Sequence, residues 1–494
     1  MNLSLILFAP LVFAVAGAFL PGGRATLGLA FVGTLVSAVL GVILLADFDT
    51  GKAGLQYVTD TKWIEALGIR YSLGVDGLSV WLVGLTTILF AASAAWVLVR
   101  PVEKARQWVV LMAVAEAAVL GAFVAQDLAL FVLCYDLMLV PFLFLLFGWG
   151  GTERRSATIK MMVFTLVGSL LMLAAAVATA VLSAQSADGS LTFSLASLGQ
   201  VTLATGTQKV VFLAFALAFV IKMPLFLFQG WMPDAYRQMP LPALAVFSAV
   251  LSKVAAYGFL RITLPLFPDA VESFQLLLQI LAVVGIIYGS CMAFTQTNLR
   301  LILGYSSLAQ LSFIVLGIFS LQPQGIQGAI LQSVTHGLVV WPLFFVVMLV
   351  AERAHGSEDI RDLGGLATRG PVMATLALIL AFATLAIPGS ANFVGEFYIL
   401  LGTFRDSVAL ACVASLGVAL ASVYMLRAYI RTVHNRVGSR TEGFELSARD
   451  GLVLVPIVLA VLAFGLYPQG ALNAGEQAVA PAGSGQPQTA EVAP

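Results

Sequence analysis

Ala218-Phe-Val-Ile-Lys222-Met-Pro224-Leu-Phe-Leu-Phe-Gln-Gly230-Trp-Met-Pro233-Asp234 is the stretch on which the fold turns. It is apolar on both sides of a lysine, and two prolines interrupt it. A proline inside a helix removes a backbone hydrogen bond and clashes with the preceding turn. At membrane depth such a break is tolerated only inside protein or along a wet cavity. A lysine at the bilayer centre costs at least about 2.5–3.5 kcal/mol on insertion scales. The stretch therefore reads as a broken membrane helix that faces a bundle interior and carries an ionisable group for moving ions or protons.

The rest of the chain agrees. It has 494 residues, of which 60% are hydrophobic and only 10% charged, whereas soluble domains carry roughly 25% charged residues. The deficit implies a lipid solvent. A net charge of zero gives no reason to expect a nucleic-acid partner. Cys134, Cys291 and Cys412 lie far apart in apolar runs, without metal-ligand spacing, and read as buried thiols. Residues 1–20 hold no Lys or Arg, so they read as a first span and not as a cleavable signal.

Taking about 20 apolar residues per crossing, the candidate spans are 2–20, 25–46, 77–99, 107–125, 128–149, 158–183, 210–231, 241–265, 271–293, 299–320, 325–351, 371–402, 407–430 and 451–467. The expected fold is an all-α integral membrane protein of about fourteen transmembrane helices. Loops after odd-numbered spans carry 17 of the 25 Lys and Arg residues. The other face carries six (Lys52, Lys62, Arg70, Lys209, Arg261 and Arg405), and Lys222 and Lys253 lie within spans. The positive-inside rule then puts both termini on the non-cytoplasmic side. The longest early loop, 48–76, falls on the outer face, and the tail from 470 to 494, rich in Ala, Pro, Gln and Gly, is expected to be disordered.

Span 12 contains a second break, Leu385-Ala-Ile-Pro388-Gly389-Ser-Ala-Asn-Phe-Val-Gly395-Glu396. Paired interruptions in two halves point to an inverted-repeat transporter. Spans 4–8 and 9–13 place their breaks at the same ordinal position. Asp127-Leu-Ala-Leu-Phe opens span 5 as Asn298-Leu-Arg-Leu-Ile opens span 10. Five helices is an odd number, so two such repeats must be inverted. The divisions that follow are 1–106 (spans 1–3 and the outer loop), 107–265 and 271–430 (the two repeats), 431–469 (inner loop and span 14) and 470–494 (tail).

Seven buried polar positions stand out: Glu116, Asp136, Lys222, Lys253, His336, Glu396 and, as a polar companion, Gln310. Burial disfavours the charged form of an amine, and a nearby carboxylate restores it, so moving the carboxylate switches a lysine between holding and releasing a proton. Histidine relays protons near neutral pH. Each residue also has a plainer reading. Glu116 and Gln310 could simply bond a neighbouring helix, His336 could satisfy a carbonyl, and a lysine can snorkel.

At these residues the chain resembles the antiporter-like membrane subunits of respiratory complex I, the chain M (subunit 4) type. The resemblance rests on Leu73-Gly-Val-Asp76-Gly, Ala125-Gln-Asp127-Leu, Asp136-Leu-Met-Leu-Val-Pro141, Ile221-Lys222-Met-Pro224, Trp231-Met-Pro233-Asp234, Lys253 with Tyr257-Gly-Phe-Leu-Arg261, Gly304-Tyr305-Ser306-Ser307, His336-Gly337, and Pro388-Gly389 with Phe393-Val-Gly-Glu396. It runs collinearly from about residue 70 to 430.

It implies a proton-translocating membrane subunit of NADH:quinone oxidoreductase, with proton transfer by Lys222, Asp136, Lys253, His336 and Glu396 along a polar axis at mid-membrane. It also implies antiporter-like neighbours on both sides, in a bacterial plasma membrane. The chain has no cysteine cluster and no glycine-rich loop after a strand. No cofactor is therefore expected on it, and NADH, FMN, iron–sulfur clusters and quinone would sit on partner subunits. Two positions depart from the family: Asp136 stands where glutamate is usual, and Gln310 where histidine is usual. Gln229 and Tyr236 also replace common histidines. The competing reading is a subunit of a multi-subunit cation/proton antiporter or a membrane-bound hydrogenase, against which the Gly-Val-Asp76-Gly segment and Glu396 count.

Overall fold

The computed structural model describes residues 2–186, 189–435 and 446–479. Among the described residues, twelve helices are long and apolar enough to cross a membrane, and two shorter apolar helices accompany them. In chain order they are α1 (Leu3–Ala18), α2 (Gly23–Asp47), α3 (Val80–Val99), α4 (Ala105–Val124), α5 (Leu128–Trp149), α6 (Arg154–Ser186), α7a (Thr205–Lys222), α8 (Leu241–Leu266), α9 (Pro268–Thr295), α10 (Leu299–Phe319), α11 (Pro323–Arg353), α12a (Pro371–Thr384), α13 (Val408–Val433) and α14 (Ala448–Leu466). Two helices continue past breaks, as α7b (Met232–Gln238) and α12b (Ala391–Asp406).

Burial sorts these helices into layers. The apolar windows of α10 and α11 are wholly buried and that of α8 nearly so, whereas only about a third of α6, α13 and α14 is buried. Exposed Leu133, Phe144, Leu170, Leu416 and Leu459 turn outward, as expected where the solvent is hydrocarbon. The central rod of α8, α10 and α11 thus carries Lys253, Gln310 and His336 far from lipid.

The openings of α5 and α10 are built alike. Asp127 caps α5 by accepting from the backbone N–H of Ala129 and Leu130, and its residue pairs with Ser194. Asn298 caps α10 by accepting from Leu301, and its residue pairs with Asp359. In each case the segment that follows the next helix folds back as an extended strand across the cap. Hydrogen bonds from Arg361 hold the Asp359 carboxyl down at about 2, so it stays ionised as an acceptor for Thr297.

The loop between α2 and α3 contains a hairpin of β1 (Gln56–Ile64) and β2 (Ile69–Val75), paired antiparallel around Gly68 in the left-handed region. The helical periodicity did not specify it. Beyond β2, Asp76 accepts from the N–H groups of Leu78 and Ser79 and forms an ion pair with Arg261 near the C-terminal end of α8. The Gly-Val-Asp76-Gly motif therefore ties the start of α3 to the helix that bears Lys253. On the opposite face Arg100 of α3 pairs with Glu352 of α11 at 2.6 Å and with Asp450 of α14.

The expected disorder of 470–494 is corrected in part. Residues Gln469–Val479 form a helix, α15. Its few apolar side chains share a face: Ala471 and Leu472 pack on Leu331, with Trp81 and Tyr398 against them, and Gln327 donates to the Leu472 carbonyl at 3.0 Å. Composition alone hid that face. Residues 480–494, and residues 436–445 with Arg436 and Arg440, lie outside the described residues.

Candidate proton-transfer site

Lys222 is the last residue of α7a, and the break behind it follows from Pro224. Proline has no N–H and clashes with the carbonyl of Val220, so the helix cannot run on. The N–H of Leu225 reaches that carbonyl instead, at 3.0 Å. Leu227 then turns with φ 79°, a left-handed conformation that is costly for a branched side chain. A 3-10 turn, Gln229–Trp231, leads into α7b. The last carbonyls of a helix need partners. The indole of Trp231 donates to one of them, Ile221, at 3.0 Å.

The amine of Lys222 donates to the carbonyl of Tyr135 at 2.9 Å and lies 3.9 Å above the Tyr135 ring. Three features favour a cation there: the negative end of the helix dipole, the ring face and the carbonyl. Asp136 is the next residue on α5. A direct ion pair is absent between Asp136 and Lys222 among the described residues, and Asp136 Oδ1 is buried without a hydrogen bond. The partnership expected from sequence is therefore one of proximity. Lys222 is held by the backbone beside the acid, where α5 is interrupted at Met138, three residues before Pro141.

A small cavity adjoins Lys222, walled by Thr165, Pro224, Trp231, Tyr236 and Ser252. Ser252 precedes Lys253, and its hydroxyl has no partner. The cavity thus links the first lysine to the helix of the second. That helix, α8, contains two π-helical segments, Phe247–Leu251 and Phe259–Thr263, one on each side of Lys253. Such segments mark functional positions and widen the helix. Lys253 is fully buried and donates to the Ser248 carbonyl at 2.8 Å. His336 of α11 lies within electrostatic reach of the Lys253 amine, and its Nδ1 has no hydrogen-bond partner. Gly337 explains how close the two helices come: a Cβ there would lie 2.6 Å from the Ala249 carbonyl oxygen.

In the second half Glu396 Oε1 accepts from the Gln310 amide at 2.8 Å, and the Gln310 oxygen accepts from Gln332 at 2.7 Å. Thr335 donates to Gln332 at 3.4 Å and precedes His336. Two amides and a carboxyl, Gln332, Gln310 and Glu396, are thus joined by hydrogen bonds across α11, α10 and α12b, with His336 one turn from Gln332. Gly395, beside Glu396, permits it. Any side chain there would collide with Gln332.

Glu116 is not brought into this string. It is buried on α4 with both carboxyl oxygens lacking hydrogen bonds, beside Ser37 of α2.

The membrane-family model described as NADH:quinone oxidoreductase/Mrp antiporter matches residues 125–421, which holds every residue of the string. The NADH-quinone oxidoreductase subunit M of Rhodobacter capsulatus is 36% identical over 487 residues, covering 94% of this chain and 93% of that protein. The chain belongs to the subunit M family of NADH-quinone oxidoreductase. The Mycobacterium tuberculosis subunit M is 34% identical, covering 95% of this chain and 92% of that one. A chain of the respiratory complex I from Thermus thermophilus superposes with a TM-score of 0.88 at 31% identity, covering 97% and 100%. The Mrp complex from Dietzia, at 20% identity and a TM-score of 0.81, shares the fold, with 97% of this chain and 52% of that one covered.

Within this subunit M family chain, sequence reading missed Tyr135, Gln332, Ser248 and Tyr424. Gln332 could have been found, since it lies one helical turn from His336 on the same face. Tyr135 is masked by its aromatic neighbours. Tyr424, whose hydroxyl meets Ser306 at 2.7 Å, lies on a helix with no other signal.

Proposed function

We propose that this chain moves protons for an NADH:quinone oxidoreductase along the string Asp136, Lys222, Lys253, His336, Gln310 and Glu396. As a subunit M family member it is a proton-pumping, multi-pass membrane subunit whose partners are other subunits of that complex. The observation that supports the route is that buried Lys222, Lys253, His336, Gln310 and Glu396 lie on the α7 break and the helices α8, α11, α10 and α12b of the bundle interior. The chemistry suits the task. Lys222 holds a proton against the Tyr135 carbonyl. A shift of Asp136 towards or away from it changes how favourable that charge is. A released proton crosses the cavity towards Ser252 and Lys253, and His336 can accept on Nδ1.

The paired breaks and the matching caps at Asp127 and Asn298 support two inverted five-helix repeats, 107–265 and 271–430. Electron transfer, with NADH, FMN, iron–sulfur clusters and quinone, belongs on partner subunits. Antiporter-like neighbours flank the chain in the plasma membrane, with both termini outside. The excess of Lys and Arg in one set of loops supports that orientation.

The test is purification of the tagged chain in mild detergent. The expected result is co-purification of flavin and iron–sulfur subunits with NADH:quinone activity. Recovery with small membrane proteins alone, and sodium-dependent proton exchange, would replace this reading with the cation antiporter one.

A further inference from the structure

One residue meets the Lys222 amine twice. The Tyr135 carbonyl accepts from it at 2.9 Å, and the centre of the Tyr135 ring lies 3.9 Å from the same nitrogen. The ring is itself held from several sides. Its hydroxyl donates to the Ala218 carbonyl at 3.2 Å, one helical turn before Lys222. Phe219 meets it edge-on with centroids 5.7 Å apart, Phe131 lies tilted against it at 5.6 Å, and the side chain is fully buried. The hydroxyl thus ties the ring to the last turn of α7a, and the ring face keeps its place under the amine although α5 is interrupted at Met138.

The other groups around the amine are few. Asp136, next to Tyr135 on α5, is within electrostatic reach. Thr165 of α6, Tyr236 of α7b and Ser252 of α8 share its cavity and are neutral at ordinary pH. Lys253, after Ser252, is turned to the Ser248 carbonyl. Of these groups only Asp136 brings a negative charge that competes with Tyr135 for an ammonium. The two holds differ in chemistry. An aromatic face attracts an ammonium but has no basic atom to take its proton. A carboxylate attracts the ammonium and can also accept the proton, leaving a neutral amine and a carboxylic acid.

Resting on the reading that Lys222 carries protons, we propose that Tyr135 is a positioning residue whose ring face holds the protonated Lys222 amine in a waiting position off Asp136. The two holds stand on consecutive residues of α5, so a shift of that helix at its interruption exchanges one for the other.

The experiment measures protons translocated per NADH oxidised as a function of pH, in proteoliposomes of the whole complex matched for partner-subunit content. The ratio cancels the pH dependence of electron transfer itself. Pumping through Lys222 falls as the pH rises and the amine loses its proton. Tyr135→Leu removes the face that favours the ammonium, so the fall should come about half a pH unit or more below that of the parent. Tyr135→Phe keeps the face and should bring the fall most of the way back. A second series keeps the shape: phenylalanine at position 135 carrying first one and then three ring fluorines drains the negative face without removing the ring. The fall should then move to lower pH with each step, even where Tyr135→Leu fails to assemble. A fall at the parent pH in Tyr135→Leu, or one that stays put along the fluorine series, overturns the proposal and leaves Tyr135 a packing residue. Lys222→Ala separates the two readings. Parent-like pumping in that variant sinks the proton-carrying reading itself, whereas lost pumping there with an unmoved fluorine series sinks the role of Tyr135 alone.

Discussion

Two helices are broken, α7 beside a lysine and α12 beside a glutamate. In α7 the cation stands before the break, at the C-terminal end of α7a, where the helix dipole is negative. In α12 the acid stands after the break, on α12b, whose positive end faces the interior. A single break creates two helix ends of opposite sign, and each half uses a different one. The two settings also differ in stiffness. Lys222 rests on one backbone carbonyl and a ring, beside a cavity and an acid it does not directly bond. Glu396 is clamped by a closed series of amides. The first setting leaves Lys222 room to change partners, and the second holds Glu396 in place.

The comparison breaks first at its centre. Lys253→Met should lower redox-driven pumping by about tenfold or more, since the proposed route passes from one half to the other at that amine. Dye-monitored acidification of vesicles checks this, and normal acidification would mean that protons bypass α8. A finer cut separates charge from reach at the loose end. Asp136→Asn should damage pumping several-fold, whereas Asp136→Glu should be tolerated, because the carboxylate acts through its charge on Lys222 and not through a direct bond. Equal performance by Asn and Asp would remove the acid from the account.

The rigid end is tested through packing. A Cβ on Gly465 of α14 would lie 2.5 Å from the Gly389 carbonyl oxygen at the α12 break. Gly465→Ala should therefore cost about 1–3 kcal/mol of stability, read as a lower midpoint in thermal unfolding of the purified complex. An unchanged midpoint would show that the break can yield. The smallest effect belongs to the cap of α7a. Trp231→Phe removes the bond to the Ile221 carbonyl and should cost about 1 kcal/mol, in the same assay, with pumping lowered less than by the Asp136→Asn change.

Much of this arrangement was legible in the sequence because lipid is a demanding solvent. A crossing needs a long apolar run, so Lys222, Lys253 and Glu396 stand out against their neighbours, and Pro224 and Pro388 announce the breaks. Depth along a helix is readable in this way, but direction around it is not. Glu116 looked equivalent to Asp136 in depth, yet it faces α2 and stays outside the string. Tyr424 could not be picked out, since a single hydroxyl in an apolar helix has many uses, and only the packing of α13 on α10 sets it against Ser306. The helix Gln469–Val479 was hidden for the opposite reason. Its apolar content is low, and what holds it is the surface it lands on.

The central claim is that Lys222, poised at the α7 break, is the gated store from which protons enter the string. The most direct test is the ratio of protons translocated to NADH oxidised in proteoliposomes carrying the assembled complex with Lys222→Ala. The account predicts a complex that assembles with its partner subunits but loses most of its pumping. An assembled Lys222→Ala complex that translocates protons at the parent ratio would contradict it.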